Sequence, residues 1–248
     1  MIDLAHGVAV QARGGDRARY RPVESTLTPG VVGDPFALIQ GYRDIVRARE
    51  CYLADLDAIQ GGGRQLGPLR DLARVSAPCR LLVDAGVSDA GGALEVLASG
   101  ADGVVVGLET LRTFDDLASI VAAAGPERVV FSLDLRHGRP VVHPANRDAA
   151  GAEPTAASLA NRAAAAGVKT ILVLDLGRIG TGGGVDLALL EDLRRRFPRL
   201  RLLAGGGIGG GQDLDRLRDA GCDGALVATA IHTGQLGAAD QSSASTSR

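Results

Sequence analysis

Ala85-Gly86-Val87, followed by Gly100-Ala101-Asp102-Gly103-Val104, returns later in the chain as Gly206-Gly207-Ile208, followed by Gly221-Cys222-Asp223-Gly224-Ala225. Two further pairs keep the same order. Asp3-Leu4-Ala5-His6-Gly7 matches Asp134-Leu135-Arg136-His137-Gly138. Leu53-Ala54-Asp55-Leu56 with Gly61-Gly62-Gly63 matches Val173-Leu174-Asp175-Leu176 with Gly182-Gly183-Gly184. All three pairs are separated by roughly 120–130 residues, about half the chain, which marks an internal repeat. The chain reads as two copies of one fragment.

Working outward from the repeat, short apolar runs recur at Met1–Leu4, Cys51–Ala54, Arg80–Val83, Gly103–Val106, Val129–Leu133, Thr170–Leu174, Leu200–Ala204 and Gly224–Ala228. Each is rich in Val, Leu or Ile without polar alternation, the pattern of a strand covered on both faces. Between them lie stretches of helical period: Phe36–Glu50, Gly91–Ser99, Thr110–Ala124, Thr155–Ala166, Val185–Phe197 and Gln212–Ala220. Strands alternating with helices predict parallel βαβ units. Eight such units predict an α/β fold, a single (β/α)8 TIM barrel over residues 1–234 made of two duplicated half-barrels. Val8–Leu27 breaks the rhythm and reads as a hairpin or lid over the rim. Residues 235–248 end in Gln241-Ser242-Ser243-Ala244-Ser245-Thr246-Ser247 and read as a disordered polar tail.

Composition narrows the function. The chain has 27 Lys+Arg against 29 Asp+Glu, a net charge of −2, so it lacks the basic excess of a nucleic-acid or membrane-surface binder. Aromatics are 3% with no Trp, so the core is built from small aliphatic residues. Cys51, Cys79 and Cys222 are scattered, with no CxxC spacing, and read as ordinary buried thiols rather than disulfides or metal ligands. No apolar run reaches the ~18 residues of a membrane span, and Met1 leads straight into Ile2-Asp3-Leu4 without a charged leader. A cytoplasmic protein needing no metal, cofactor or partner protein is expected.

The repeat has a chemical consequence. It sets Asp3 and Asp134 at equivalent strand ends, facing each other across one pocket. Opposed carboxylates divide acid and base work when their surroundings separate their pKa values; the plainer alternative is that both cap loop amides. Asp55 and Asp175 form a second opposed pair, expected on substrate hydroxyls, while Asp57 reads as a loop residue. Gly205-Gly206-Gly207-Ile208-Gly209-Gly210-Gly211 follows the seventh run and precedes a helix, the setting in which glycine N–H groups hold phosphate. Thr229, after the eighth run, adds a hydroxyl to that phosphate site. Gly180-Thr181-Gly182-Gly183-Gly184 reads as a substrate-covering loop, with Thr181 a substrate contact. Arg13, with Arg17, Arg19 and Arg21, either contacts the substrate or forms a solvated basic loop. His6 and His137 read as turn residues or pocket contacts.

At these residues the sequence resembles the histidine-biosynthesis barrel family, which includes the HisA-type isomerase and the HisF-type cyclase. The motifs are Ile2-Asp3-Leu4 with Gly7, Asp55-Leu56-Asp57, Ser132-Leu133-Asp134, Asp175-Leu176 with Gly180-Thr181, and Gly205-Gly206-Gly207-Ile208. The resemblance implies an Amadori rearrangement of a phosphorylated aminoaldose to an aminoketose, without cofactor. It implies that Asp3 is the base at C2 and Asp134 the acid that opens the sugar ring. Three departures stand out. Asp84, in Asp84-Ala85-Gly86-Val87-Ser88, replaces a glycine that the pattern uses to hold a second phosphate. Gln11 stands where an arginine is common, and Val141–Asn146 lacks the usual aromatic residue. Two anions a few Å apart repel by ~1 kcal/mol or more, so Asp84 points to a substrate with one phosphate, or to one whose far end is positive or hydroxylated. Three functions remain open: the HisA-type isomerase, a diverged paralogue on a monophosphorylated substrate in a pathway such as one-carbon cofactor synthesis, and a non-catalytic barrel binding a phosphorylated metabolite.

Overall fold

The computed structural model describes residues 1–11, 20–144, 154–178, 184–238 and 240. Every apolar run named above forms a strand. The strands are β1 (Ile2–Ala5), β2 (Val8–Gln11), β3 (Arg21–Pro22), β4 (Glu50–Asp55), β5 (Arg80–Asp84), β6 (Gly103–Gly107), β7 (Val129–Arg136), β8 (Arg139–Pro140), β9 (Thr170–Asp175), β10 (Arg201–Gly205) and β11 (Gly224–Leu226). They form one sheet. The path β1-β4-β5-β6-β7-β9-β10-β11 is parallel and follows chain order, as βαβ crossovers require.

The sheet curls. Glu50 starts β4 and Arg201 starts β10, far apart along the ladder, yet Arg201 Nη1 lies 3.1 Å from Glu50 Oε1. The Met1 amino group donates to the Val227 carbonyl at 2.9 Å, and the Tyr42 hydroxyl donates to the Met1 carbonyl at 2.8 Å and meets His232 Nε2 at 3.0 Å. These contacts tie the two ends of the sheet together, although no ladder joins β11 to β1 among the described residues.

Strand side chains alternate between two buried sets. Leu53, Leu81, Val83, Val104, Val106, Phe131, Leu133, Ile171 and Val173 pack outward in the larger cluster. Tyr52, Ala54, Leu82, Val105, Val130, Leu172, Leu174 and Leu203 pack on the concave side. Each fully buried Leu contributes about 2 kcal/mol, so the outer layer carries most of the stability and the inner one is left to shape the hollow.

The helices are α1 (Pro35–Gly41), α2 (Leu56–Ile59), α3 (Leu66–Ser76), α4 (Ala90–Ala98), α5 (Phe114–Ala124), α6 (Ala156–Ala165), α7 (Leu187–Arg196), α8 (Gly211–Asp219) and α9 (Thr229–His232). Asp34, Asp89, Thr113, Thr155 and Asp186 accept backbone N–H groups at the starts of α1, α4, α5, α6 and α7. The expected helix over 36–50 ends sooner, in a π turn over Tyr42–Val46 closed by Arg47 at φ 59. Helix α3, absent from the periodicity reading, starts through Gly67-Pro68. Proline is harmless there because a first-turn N–H has no intrahelical acceptor.

The segment after β1 forms the expected hairpin, with β2 antiparallel to β1 and β3 antiparallel to β2. A matching hairpin joins β7 to β8. Their two-residue turns are His6-Gly7 at φ 50 and 77 and His137-Gly138 at φ 52 and 78. Positive φ at both positions is the type I′ requirement, and explains a small residue second in each. Within the stretch expected as a tail, Leu236 is buried and its N–H donates to the Ala230 carbonyl at 2.9 Å; residues 239 and 241–248 lie outside the described residues. No described helix is long and apolar enough to cross a membrane.

Candidate active site

Alternation along the strands selects which acidic side chains face the hollow. On β4, Tyr52 and Ala54 belong to the concave set; on β5 so does Leu82, and on β7 so does Val130. Asp84 and Asp134 therefore lie on the inner side of β5 and β7. Asp3 pairs with Ala54 and Ala54 with Asp84, so Asp3 and Asp84 sit at one level, two strands apart. All three carboxylates are buried.

Tyr52 is their meeting point. Its hydroxyl donates to Asp84 Oδ2 at 3.1 Å. Burial raises its phenol well above the usual value near 10, and the charges of Asp84, Asp134 and Asp3 raise it further. One phenol thus feels all three carboxylates.

Asp134 is held by its neighbours. Ser132 Oγ donates to its Oδ1 at 2.6 Å and Leu108 N–H to its Oδ2 at 3.0 Å. A Cβ at Gly107 would stand 3.3 Å from Asp134 Oδ2 and 3.6 Å from Asp84 Oδ2. A bare glycine there leaves the two carboxyl groups flanking the same small gap. Burial lifts the Asp134 carboxyl to about 8; the Ser132 bond opposes the rise, and the charges of Asp84 and Glu109 add to it. At neutral pH Asp134 carries a proton. That is the state a general acid needs.

The second pair, Asp55 and Asp175, is engaged with neighbouring loops. Asp55 has no exposed surface, and its oxygens accept Ala58 N–H at 3.2 Å, Gln65 N–H at 2.8 Å and Gln65 Nε2 at 2.9 Å. Asp175 accepts His137 N–H at 3.1 Å, Gly177 N–H at 3.0 Å and Gly138 N–H at 3.2 Å, with Arg178 Nε at 3.3 Å. Both sit at outward-facing positions, one residue past the inner Ala54 and Leu174. Their hydrogen bonds staple loops. Asp57 is a loop residue as expected, accepting His6 N–H at 2.9 Å, while Gln65 Oε1 accepts Gly7 N–H at 2.8 Å. His6 and His137 are the turn residues described above.

In the glycine segment after β10, Gly206 and Gly207 have φ of 97 and 83. A Cβ on Gly206 would collide with the Asp175 carbonyl oxygen, and one on Gly207 would lie 2.9 Å from the Gly184 carbonyl oxygen. The loop therefore packs backbone to backbone, which only glycine allows. Gly205 ends β10 beside Leu226, and Gly209 N–H is taken by Asp213 Oδ2 at 2.8 Å. Thr229 opens α9, and its Oγ1 accepts from Gln11 Nε2 at 2.9 Å, so Gln11 buttresses this hydroxyl. Arg13, Arg17, Arg19 and residues 179–183, Thr181 included, lie outside the described residues.

A cavity of about 670 Å3 lies elsewhere. Met1, Glu50, Arg201 and Gly224 line it, and these residues mark the N-terminal ends of strands. Parallel α/β sheets work at the opposite, C-terminal ends, and none of the three carboxylates lines that cavity. Tyr52 touches both spaces and forms a floor between them. All three cysteines are free; burial raises Cys79 to about 12 and Cys222 to about 11, so neither is a reactive thiolate.

A model of the family described as "Histidine biosynthesis protein" matches residues 1–237. The chain belongs to this histidine-biosynthesis family. Curated relatives carry the name 1-(5-phosphoribosyl)-5-((5-phosphoribosylamino)methylideneamino) imidazole-4-carboxamide isomerase. One from Deinococcus radiodurans is 35% identical over 75% of this chain and 76% of its own length. One from Thermus thermophilus is 33% identical over 95% of this chain and 94% of its own, and one from Aeromonas salmonicida is 31% identical over 96% and 94%. Within this family member, sequence reading missed Tyr52 and Ser132. Their signal was available: each is a polar residue two positions before an inner one on an otherwise apolar strand.

Proposed function

We propose that the protein is a HisA-type isomerase: it catalyses an Amadori rearrangement of a phosphorylated aminosugar or ribotide, in the cytoplasm, without cofactor. Asp134 gives its proton to the ring oxygen, and the C1–O bond breaks to leave an open-chain iminium. Asp3 takes the proton from C2, forming an enolamine. Return of a proton at C1 and loss of the C2 hydroxyl proton yield the aminoketose. Only protons move, and the net composition is unchanged. The phosphate sits against Gly205, Gly206 and Gly207, with Thr229 donating from α9. Arg13 and Thr181 are retained as substrate contacts in this proposal. The frame is a closed (β/α)8 barrel of two half-barrels over residues 1–234; the paired His-Gly hairpins and the Glu50–Arg201 contact support it.

The observation that carries this reading is the placement of Asp3 and Asp134 around one buried phenol, with Asp134 protonated at neutral pH. A second reading, a monophosphorylated substrate in another pathway, is favoured by Asp84. Its Oδ1 accepts Gly86 N–H at 3.2 Å, so a carboxylate occupies a donor of the loop where a second phosphate would bind. The test is rescue of an isomerase-deficient histidine auxotroph, followed by assay of purified protein. Rescue that is lost in Asp3→Asn and Asp134→Asn supports the first reading. No rescue, with turnover of a monophosphorylated aminoaldose, supports the second. Binding of phosphorylated ligands without turnover overturns both and leaves a non-catalytic barrel.

A further inference from the structure

Asp84 and Tyr52 have no part in the proton transfers above, yet both face Asp134. Tyr52 OH donates to Asp84 Oδ2 at 3.1 Å within the buried interior, and Asp84 Oδ1 is pinned by Gly86 N–H at 3.2 Å. These two bonds fix the plane of the Asp84 carboxyl. Its Oδ2 then lies on the same side of Gly107 as Asp134 Oδ2, with no Cβ between them. We propose that Asp84 and Tyr52 are positioning residues for the acid: Tyr52 holds the Asp84 carboxylate beside Asp134, and that like charge keeps the proton on Asp134. The proposal rests on Asp134 being the acid of the isomerisation.

The surroundings of Asp134 are mixed in sign. From β5, Asp84 favours the protonated form, and so does Glu109 beyond β6. On its own strand Ser132 favours the ionised form, as do the Leu108 and Glu109 N–H groups at the end of β6. From β9, Asp175 is engaged with the His137-Gly138 turn and Arg178. Asp3 and Asp134 both act on Tyr52 from their own strands. Of the two like charges that raise Asp134, Asp84 acts more strongly than Glu109, and a hydrogen bond from Tyr52 on the neighbouring strand holds it in place.

The test reads Asp134 directly. Full-length protein labelled with 13C at aspartate carboxyls is titrated by NMR, with Asp134→Asn assigning the resonance. In Asp84→Asn the Asp134 midpoint should fall by about one pH unit, and in Tyr52→Phe it should fall in the same direction. If the isomerase assay succeeds, the rate at pH 8.5 relative to pH 6.5 should drop about five- to tenfold in Asp84→Asn, because less acid is protonated. Should Asp84→Asn fail to fold, Tyr52→Phe carries the same readout. A midpoint that stays within about 0.3 unit, or rises, in the folded variants overturns the proposal. A midpoint that falls in a protein without isomerase activity upholds the positioning and removes the isomerase reading instead.

Discussion

Asp134→Asn should destroy activity and strengthen the fold. The Asp134 carboxyl titrates at about 8 in the folded chain against 3.8 for an open one. Between those values the folded state keeps a proton that the unfolded state releases. Each unit of rising pH therefore costs the folded state about 1.4 kcal/mol. Asparagine has no proton to lose and suits the same partners. Its amide oxygen accepts from Leu108 N–H and its NH2 donates to Ser132 Oγ, the two groups that hold the carboxyl now. From pH 5 to pH 8 the advantage of the variant should thus grow by about 4 kcal/mol. Urea unfolding of both proteins, followed by far-UV circular dichroism at several pH values, measures this difference. Other titrating groups are shared by the two proteins and cancel. A difference that stays flat within about 1 kcal/mol across that range would show that Asp134 ionises normally in the fold. The acid assignment would fall with it.

Further outcomes follow from other residues. Asp3→Asn should cut kcat by about 10²–10⁴ with the fold intact, as expected for loss of a general base; circular dichroism and turnover check this together. Asp55→Ala removes a fully buried cap with three bonds and should cost about 2–4 kcal/mol in urea unfolding; a stable variant with raised KM would restore Asp55 as a substrate contact. Gly206→Ala meets both positive φ and the Asp175 carbonyl, so it should destabilise by about 2 kcal/mol or more and abolish protection by inorganic phosphate in thermal melts. His232 is buried and titrates at about 4 against 6.5. Its unfolded form gains a proton first on acidification, so stability should be lost as pH falls from 6.5 to 4, by about 3 kcal/mol. His232→Gln should remove that acid-limb loss.

The order of strands was legible because each is a short apolar run between turn signals, and burial on both faces leaves little freedom in such runs. Helix ends were less legible. The stretch Phe36–Glu50 is periodic throughout, but β4 claims Glu50 and the chain must turn at Arg47 to reach it. Helix α3 was hidden because Gly67-Pro68 reads as a turn unless its place in the first turn is known. Sheet curl is invisible to periodicity: Glu50 and Arg201 meet only through the accumulated twist of the strands between them.

Within the site, the repeat pairs positions by sequence but does not sort them. Asp3 with Asp134 and Asp55 with Asp175 are equally good pairs by sequence copy. What separates them is parity. A strand places successive side chains on opposite faces, so a shift of one residue exchanges hollow for helix layer. Tyr52 and Ala54 face inward, hence Asp55 faces out; Leu172 and Leu174 face inward, hence Asp175 also faces out. Outward carboxylates at strand ends meet loop and turn N–H groups and are held there by hydrogen bonds. Inward ones meet each other. Asp84 obeys the same rule, two residues beyond the inner Leu82, which is why its charge bears on the hollow rather than on a loop. Counting from a single inward aromatic, Tyr52, would have divided the five aspartates into three on the inner face and two on the outer.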